Sequence, residues 1–139
     1  MSHIEILESQ IDKSNYIKLI EDVGWEKYIN YEAIDIALEN SLWSAIAKDT
    51  STNDTVGFVR IVGDGAMFFY IQDLMVLGSY QKQGIGNQLM QVACEYLKNN
   101  APAKALVSLF THKSKMTFFR AFEFNGSEAG LSGMYKKLW

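Results

Sequence analysis

The chain has 139 residues, 48% of them hydrophobic and 13% aromatic, and a formal net charge of -3. That is one domain's length with side chains enough for a core, and its scattered lysines and arginines do not form the basic face a nucleic-acid binder usually carries. One cysteine, Cys94, rules out an internal disulfide and fits a reducing compartment, and no stretch reaches the ~18 apolar residues of a membrane span.

The first residues, Met1-Ser2-His3-Ile4-Glu5, lack the basic and apolar regions of a secretory signal, so the expected location is the cytoplasm. No repeat, low-complexity tract or linker interrupts the chain, and residues 1–139 read as a single domain. His3 to Glu8 alternates and predicts a first strand. Tyr16, Ile17, Ile20 and Val23 then recur at helical spacing, with Asp12 placed to N-cap the helix and Gly24 to end it. Asn30 can cap a second helix, with Ile34, Ala37 and Leu38 on one face. Leu42 to Lys48 reads as a strand, Thr52-Asn53-Asp54 as a turn, and Val56 to Val62 as another strand. Gly63-Asp64-Gly65 is a tight turn that joins it to the strand Met67–Val76 as an antiparallel hairpin.

Next comes Gln81-Lys82-Gln83-Gly84-Ile85-Gly86, between that strand and an amphipathic helix. Two glycines at such a junction let the backbone approach a ligand, and the helix start offers unpaired N–H groups and the positive end of its dipole to phosphate. Ile85, Leu89, Val92 and Tyr96 form the helix's core-facing stripe, ended by Asn99-Asn100 and Pro102. Ala105 to Phe110 is a nearly continuous apolar run, as expected of a buried parallel strand closing a right-handed βαβ crossover. A short helix near Ser114–Phe122 and two final strands, near Phe124 and Met134–Leu138, end the chain.

In this order of elements the chain resembles the GNAT superfamily of acyl-coenzyme A-dependent N-acyltransferases. The family's phosphate loop reads Gln or Arg, two residues, Gly, one residue, then Gly or Ala, and Gln81, Gly84 and Gly86 fill those places. The strand Tyr70-Ile71-Gln72-Asp73-Leu74-Met75-Val76 is similar to the family's central coenzyme strand, and Leu77-Gly78-Ser79-Tyr80 to its turn before the loop. The resemblance implies a mixed, mostly antiparallel α/β sheet with a splayed central parallel pair and helices on both faces. It implies acetyl-CoA as cosubstrate, while the two distant histidines, His3 and His112, and Cys94 on a helix do not have metal-ligand spacing, so no metal is expected. The backbone of Lys82, Gln83, Gly84, Ile85, Gly86 and Asn87 would ring the pyrophosphate, beside Gln81. Leu74, Met75 and Val76 would meet the pantetheine arm along an open strand edge, and His112 is a further coenzyme candidate.

One departure stands out. The family often carries Asn and, seven residues on, Tyr in the helix after the second parallel strand, the Tyr protonating the departing thiolate. His112 and Phe119 occupy those places here, and a phenyl ring donates no proton. Glu123 also replaces a frequent Gly.

The implied reaction is attack of a small-molecule primary amine on the thioester through a tetrahedral oxyanion, with the Val76 N–H as donor to it. Asp73, the only carboxylate on the central strand, is the first candidate base; its alternative role is a hydrogen-bonded structural carboxylate. Parity divides the candidates. Strict alternation puts Tyr70, Gln72 and Leu74 on one face and Asp73 on the other, whereas a bulge would change this. Tyr70 is the second catalytic candidate. Gln72, Trp25 and Tyr28 are candidates for the acceptor wall, while Trp43 reads as core. Lys82 can add charge at the phosphates. Cys94 reads as a small buried residue. Tyr135 and Trp139 are open to a core role or to a homodimer interface. Two further functions compete: a non-catalytic acyl-CoA sensor, supported by the missing Tyr, and a dinucleotide or nucleotide binder, opposed by the absent third glycine and absent Lys-Ser/Thr.

Overall fold

The computed structural model describes residues 3–138. The alternating segment Ile4–Glu8 is strand β1, and helix α1 follows at Lys13–Asp22. Asp12 caps α1 as its sequence predicts, Oδ1 accepting the Asn15 N–H at 2.8 Å. Asn30 accepts from the Glu32 N–H and starts a short turn, Tyr31–Ala33, that runs into α2, Ile34–Glu39. Strands β2 (Trp43–Asp49), β3 (Asp54–Gly63) and β4 (Phe68–Val76) come next. Asp64 Oδ1 accepts the N–H groups of Ala66, Met67 and Phe68, which closes the β3–β4 hairpin. Helix α3 spans Ile85–Asn100, β5 Leu106–Ser108 and α4 Met116–Arg120.

The sheet has the order β1-β2-β3-β4-β5. Its first four strands run antiparallel, and β5 lies parallel to β4. Helices cover both faces, as two adjacent residues of β3 show. A Cβ built on Gly57 would lie 3.1 Å from Leu89 of α3, whereas the Phe58 ring meets Tyr16 of α1 at 5.9 Å. Neighbours on a strand point to opposite faces, so α3 and α1 flank the sheet from either side. Leu19, Ile20, Phe58, Phe69 and Leu89 are among the fully buried residues between these layers.

Three expectations are corrected. The buried face of α3 runs through Ile85, Leu89, Met90, Ala93 and Leu97, so Val92 and Tyr96 sit at its margin, half-buried. The expected buried strand over Ala105–Phe110 shrinks to Leu106–Ser108, and Leu106 is 43% exposed, because β5 is an edge strand and not an inner one. Among the described residues neither final strand forms: Phe124 precedes the turn Ser127–Ala129, and Met134–Leu138 pairs with no strand. Trp139 lies outside the described residues.

Candidate functional site

The β3–β4 register carries the bulge on which the parity question turned. Phe58 faces Met75 and Arg60 faces Gln72, two steps on β3 against three on β4, and Asp73 takes a positive φ of 62°. Asp tolerates this left-handed conformation better than most side chains. The extra residue switches the alternation. Tyr70, Gln72 and Met75 share the α1 face of their partners Val62, Arg60 and Phe58, while Val76 turns with Gly57 toward α3. Asp73 joins Tyr70 and Gln72 on the α1 face, as its contact with Tyr16 shows.

There the Asp73 carboxylate is closely held. Oδ2 accepts from the Tyr16 hydroxyl at 2.8 Å and from Arg60 Nε at 2.7 Å, and Oδ1 accepts from Gln72 Nε2 at 2.9 Å. Arg60 also donates through a terminal nitrogen to the Ala37 carbonyl and to Ser41 Oγ. The side chains are 1% exposed for Asp73 and 12% for Arg60. A buried ion pair is tolerated only with its remaining donors and acceptors satisfied, and this network satisfies them while tying α1, α2, β3 and β4 together. Burial first, and the Asp73 charge next, push the Tyr16 hydroxyl well above the usual phenol range, so it stays a donor. Three donors thus occupy the Asp73 carboxylate, and its side chain is almost wholly buried.

On the other side of β4 lies an open edge. Pairing with β5 stops at Tyr70 and Ser108, so from Ile71 onward no strand among the described residues covers it. The Leu77 N–H donates to the Val56 carbonyl. Val76, opposite Gly57, therefore belongs to a non-hydrogen-bonded pair, and its N–H and C=O point away from β3 to that edge. Gln81 Nε2 donates to the Val76 carbonyl at 2.9 Å and so fixes the loop to the strand end. Two further bonds brace the turn: Asp22 accepts the Gly78 N–H at 2.7 Å, and Asp49 accepts the Tyr80 hydroxyl at 2.5 Å.

Gly84 N-caps α3 at φ 81°, with no side chain capping it and open space where a Cβ would stand. Lys82 also has positive φ, 64°. The first backbone bond into the helix runs from the Gln88 N–H to the Gly84 carbonyl, so the N–H groups of Ile85, Gly86 and Asn87 have no acceptor among the described residues. Free donors and the dipole end of a sixteen-residue helix thus sit at the end of the open β4 edge. Phe118 of α4 and Val76 approach Gly86 without filling it: a Cβ there would stand 3.9 and 4.0 Å from them.

The remaining candidates are dispersed. Tyr70 is half-buried, its ring 5.8 Å from that of Phe110, and burial raises its pKa against a smaller opposing effect of the Phe110 backbone. His112 caps the turn Lys113–Lys115, Nδ1 accepting the Ser114 N–H. Phe119 is a core ring, edge-to-face with Phe118 at 5.0 Å. Trp25 is half-buried and packs against the core, whereas Tyr28 is 50% exposed, with Lys27 and Lys137 over its ring at 5.2 and 3.9 Å. Trp43 stacks on Tyr96 and donates to Glu8. Burial raises the half-buried Cys94 thiol. An open cleft bordered by Glu21, Asp22, Asp54 and Tyr80 lies beside α1 and shares none of the Tyr70–Asp73 residues. Tyr16 and Arg60 are the site residues that sequence reasoning missed. Arg60 did leave a signal: a lone charge in the apolar run Gly57-Phe58-Val59-Arg60-Ile61-Val62 must find a partner if buried.

Comparison with known proteins bears on the family and the fold. Residues 39–125 match the model of the acetyltransferase (GNAT) domain. The chain is 28% identical over 120 residues to an uncharacterized N-acetyltransferase, ycf52, of Porphyra purpurea, which covers 85% of this chain and 67% of the relative. A probable acetyltransferase of meticillin-resistant Staphylococcus aureus superposes with a TM-score of 0.87 at 28% identity, over 97% of this chain and 99% of the other. A GNAT family acetyltransferase of Brucella melitensis, crystallised with acetyl-CoA, has a TM-score of 0.67 at 19% identity, over 91% and 85% of the two chains. Among the described residues no helix is long and apolar enough to cross a membrane.

Proposed function

The chain belongs to the GNAT acetyltransferase family, and on that premise we propose that it moves an acetyl group from acetyl-CoA to the primary amine of a small molecule. The observation that supports this reading is the junction of two sets of free donors: the outward Val76 N–H on an uncovered strand edge, and the uncapped N–H groups of Ile85, Gly86 and Asn87 beside it. Residues Gln81 to Asn87 hold the pyrophosphate, and the pantetheine arm pairs along Leu74 to Val76 as an added strand. His112 joins the coenzyme set through its place in the resemblance alone.

The amine attacks the thioester carbonyl, the Val76 N–H donates to the oxyanion, and collapse expels the thiolate. One oxyanion donor of this kind is worth roughly 3–4 kcal/mol. A primary alkylamine has a pKa near ~10 in water, and desolvation against the rings of the acceptor side shifts it toward the neutral, nucleophilic form. The Tyr70 hydroxyl, half-buried and so in partial reach of solvent, relays the proton that leaves on attack to bulk water, which also protonates the released thiolate, and Gln72 faces the same space. Asp73 acts as a positioning residue, holding Gln72 and the bulge. No Tyr stands at position 119, so the thiolate leaves unprotonated, which its acidity near pKa ~8.5 permits. The reaction belongs in the cytoplasm, on the single-cysteine composition.

The test is release of free thiol from acetyl-CoA by the purified protein with a panel of primary amines. Turnover with at least one amine is expected. Tight acetyl-CoA binding without turnover of any amine would favour the second reading, a coenzyme-binding module without catalysis, for which Phe119 in the Tyr place is the supporting observation.

A further inference from the structure

The stretch 131–138 forms no helix or strand, and Leu131, Met134, Tyr135 and Leu138 are 70–93% exposed. It nevertheless makes defined contacts at two separated points of the fold. At one, a Cβ on Gly133 would stand 2.7 Å from Phe110, so the bare backbone lies flush on that ring, and the Tyr135 ring meets the same Phe110 at 6.0 Å. Phe110 in turn packs on Tyr70. At the other, the Lys137 ammonium sits 3.9 Å from the ring centroid of Tyr28, beyond the end of α1. Phe110 follows β5 and Tyr28 follows α1, so residues 133–137 link the segment after β5 to the segment after α1. Three rings in series, Tyr70, Phe110 and Tyr135, carry an apolar wall from the central strand out to this strap.

We infer that residues 133–137 form a strap over the acceptor side of the site, with Tyr135 as a specificity-determining residue that selects amines carried on an aromatic or extended apolar body. The inference deepens the acetyl-transfer reading and rests on it. Ring against ring favours a flat apolar acceptor, and a segment this exposed, in no helix or strand, can part for entry. The strap's ring contacts run through Phe110 to Tyr70, whereas the free donors of the coenzyme loop lie at Ile85 to Asn87, so the two are tested separately.

The experiment compares wild type, Tyr135→Ala, Tyr135→Phe and Gly133→Val on two acceptors, an arylalkylamine and a polar amino sugar, with the dissociation constant of acetyl-CoA measured alongside. Loss of a ring contact predicts that Tyr135→Ala raises KM for the arylalkylamine about tenfold and leaves the amino sugar and the acetyl-CoA constant unchanged. Tyr135→Phe retains the wild-type KM. Gly133→Val lifts the strap from Phe110 and behaves as Tyr135→Ala does. An unchanged KM in Tyr135→Ala overturns the inference, as does an equal loss on both acceptors. Dissociation of a dimer on the Tyr135→Ala change, seen by light scattering, also overturns it, since the strap is then a subunit contact. If wild type releases no thiol with any amine, the acetyl-transfer reading fails, and calorimetric binding of the arylalkylamine to wild type and Tyr135→Ala still decides the strap: weaker binding to the variant supports it, equal binding or none overturns it.

Discussion

Removing one partner of a buried ion pair strands the other, which typically costs about 3–5 kcal/mol. Asp73→Ala does this to Arg60, whose side chain is only 12% exposed, and the loss is to be read from urea unfolding. Tyr16→Phe removes one donor to the same charge and is expected to cost about 1.5–3 kcal/mol. A base and an anchor differ in one further respect. If Asp73 only positions Gln72 and the bulge, Asp73→Asn lowers stability and kcat but leaves the shape of the pH–rate profile unaltered; loss of its acidic limb would return Asp73 to the role of base. The residue scale is also where sequence reasoning stopped short. Asp73 was visible as the lone carboxylate of its strand, but nothing in Ile71-Gln72-Asp73-Leu74 marks the positive φ that puts it beside Gln72. That conformation is imposed by partners distant in sequence, Tyr16 and Arg60, and no local pattern encodes them.

Local signals served best where one element decides its own fate. The Asp12 cap, the hairpin around Asp64 and the glycine loop before α3 each depend on residues within a few positions of one another, and each stands where its sequence placed it. Strands at the end of the chain did not, because a strand needs a neighbour. Leu106-Val107-Ser108 has the apolar content of an inner strand but gains only the first three pairings of β4 before the two part. That parting leaves the edge where an extended arm can dock. The turn before α3 is held to the body by Asp49 and Asp22, and the first of these gives a pH dependence. The Ser51 hydroxyl, then that of Tyr80, hold the Asp49 carboxyl at about 2, below its unfolded value. A depressed carboxyl contributes stability that is complete above the unfolded pKa, near ~4, and is lost as the pH falls through the folded one. The melting temperatures of wild type and Asp49→Asn should therefore differ at pH 7 and converge toward pH 2. A constant difference across that range would show that the charge of Asp49 contributes nothing.

Across the whole molecule, two parts meet at the open edge: an antiparallel sheet, β1 to β4, and the β4-α3-β5 crossover, joined by three strand pairings and by the packing of α3. A ligand that pairs with β4 and sits on the start of α3 bridges them, and binding the native state alone stabilises it. At one hundred times its dissociation constant, acetyl-CoA adds about 2.7 kcal/mol. For a domain of this length each kcal/mol moves the melting temperature by roughly 3–5 °C, so a rise of about 10 °C is expected. NAD and ATP should give no comparable rise, since the loop lacks the glycine and the lysine that their sites require. Gly84→Glu sharpens the comparison. Its carboxylate would project into the open space above the helix start, where it both fills the phosphate position and repels it, and the positive φ of Gly84 adds about 1 kcal/mol of strain. The variant should fold, melt a few degrees lower, and show no shift with acetyl-CoA. A full shift in Gly84→Glu, or a wild-type response to NAD or ATP alone, would mean that the donors at residues 85–87 do not hold the diphosphate of a coenzyme.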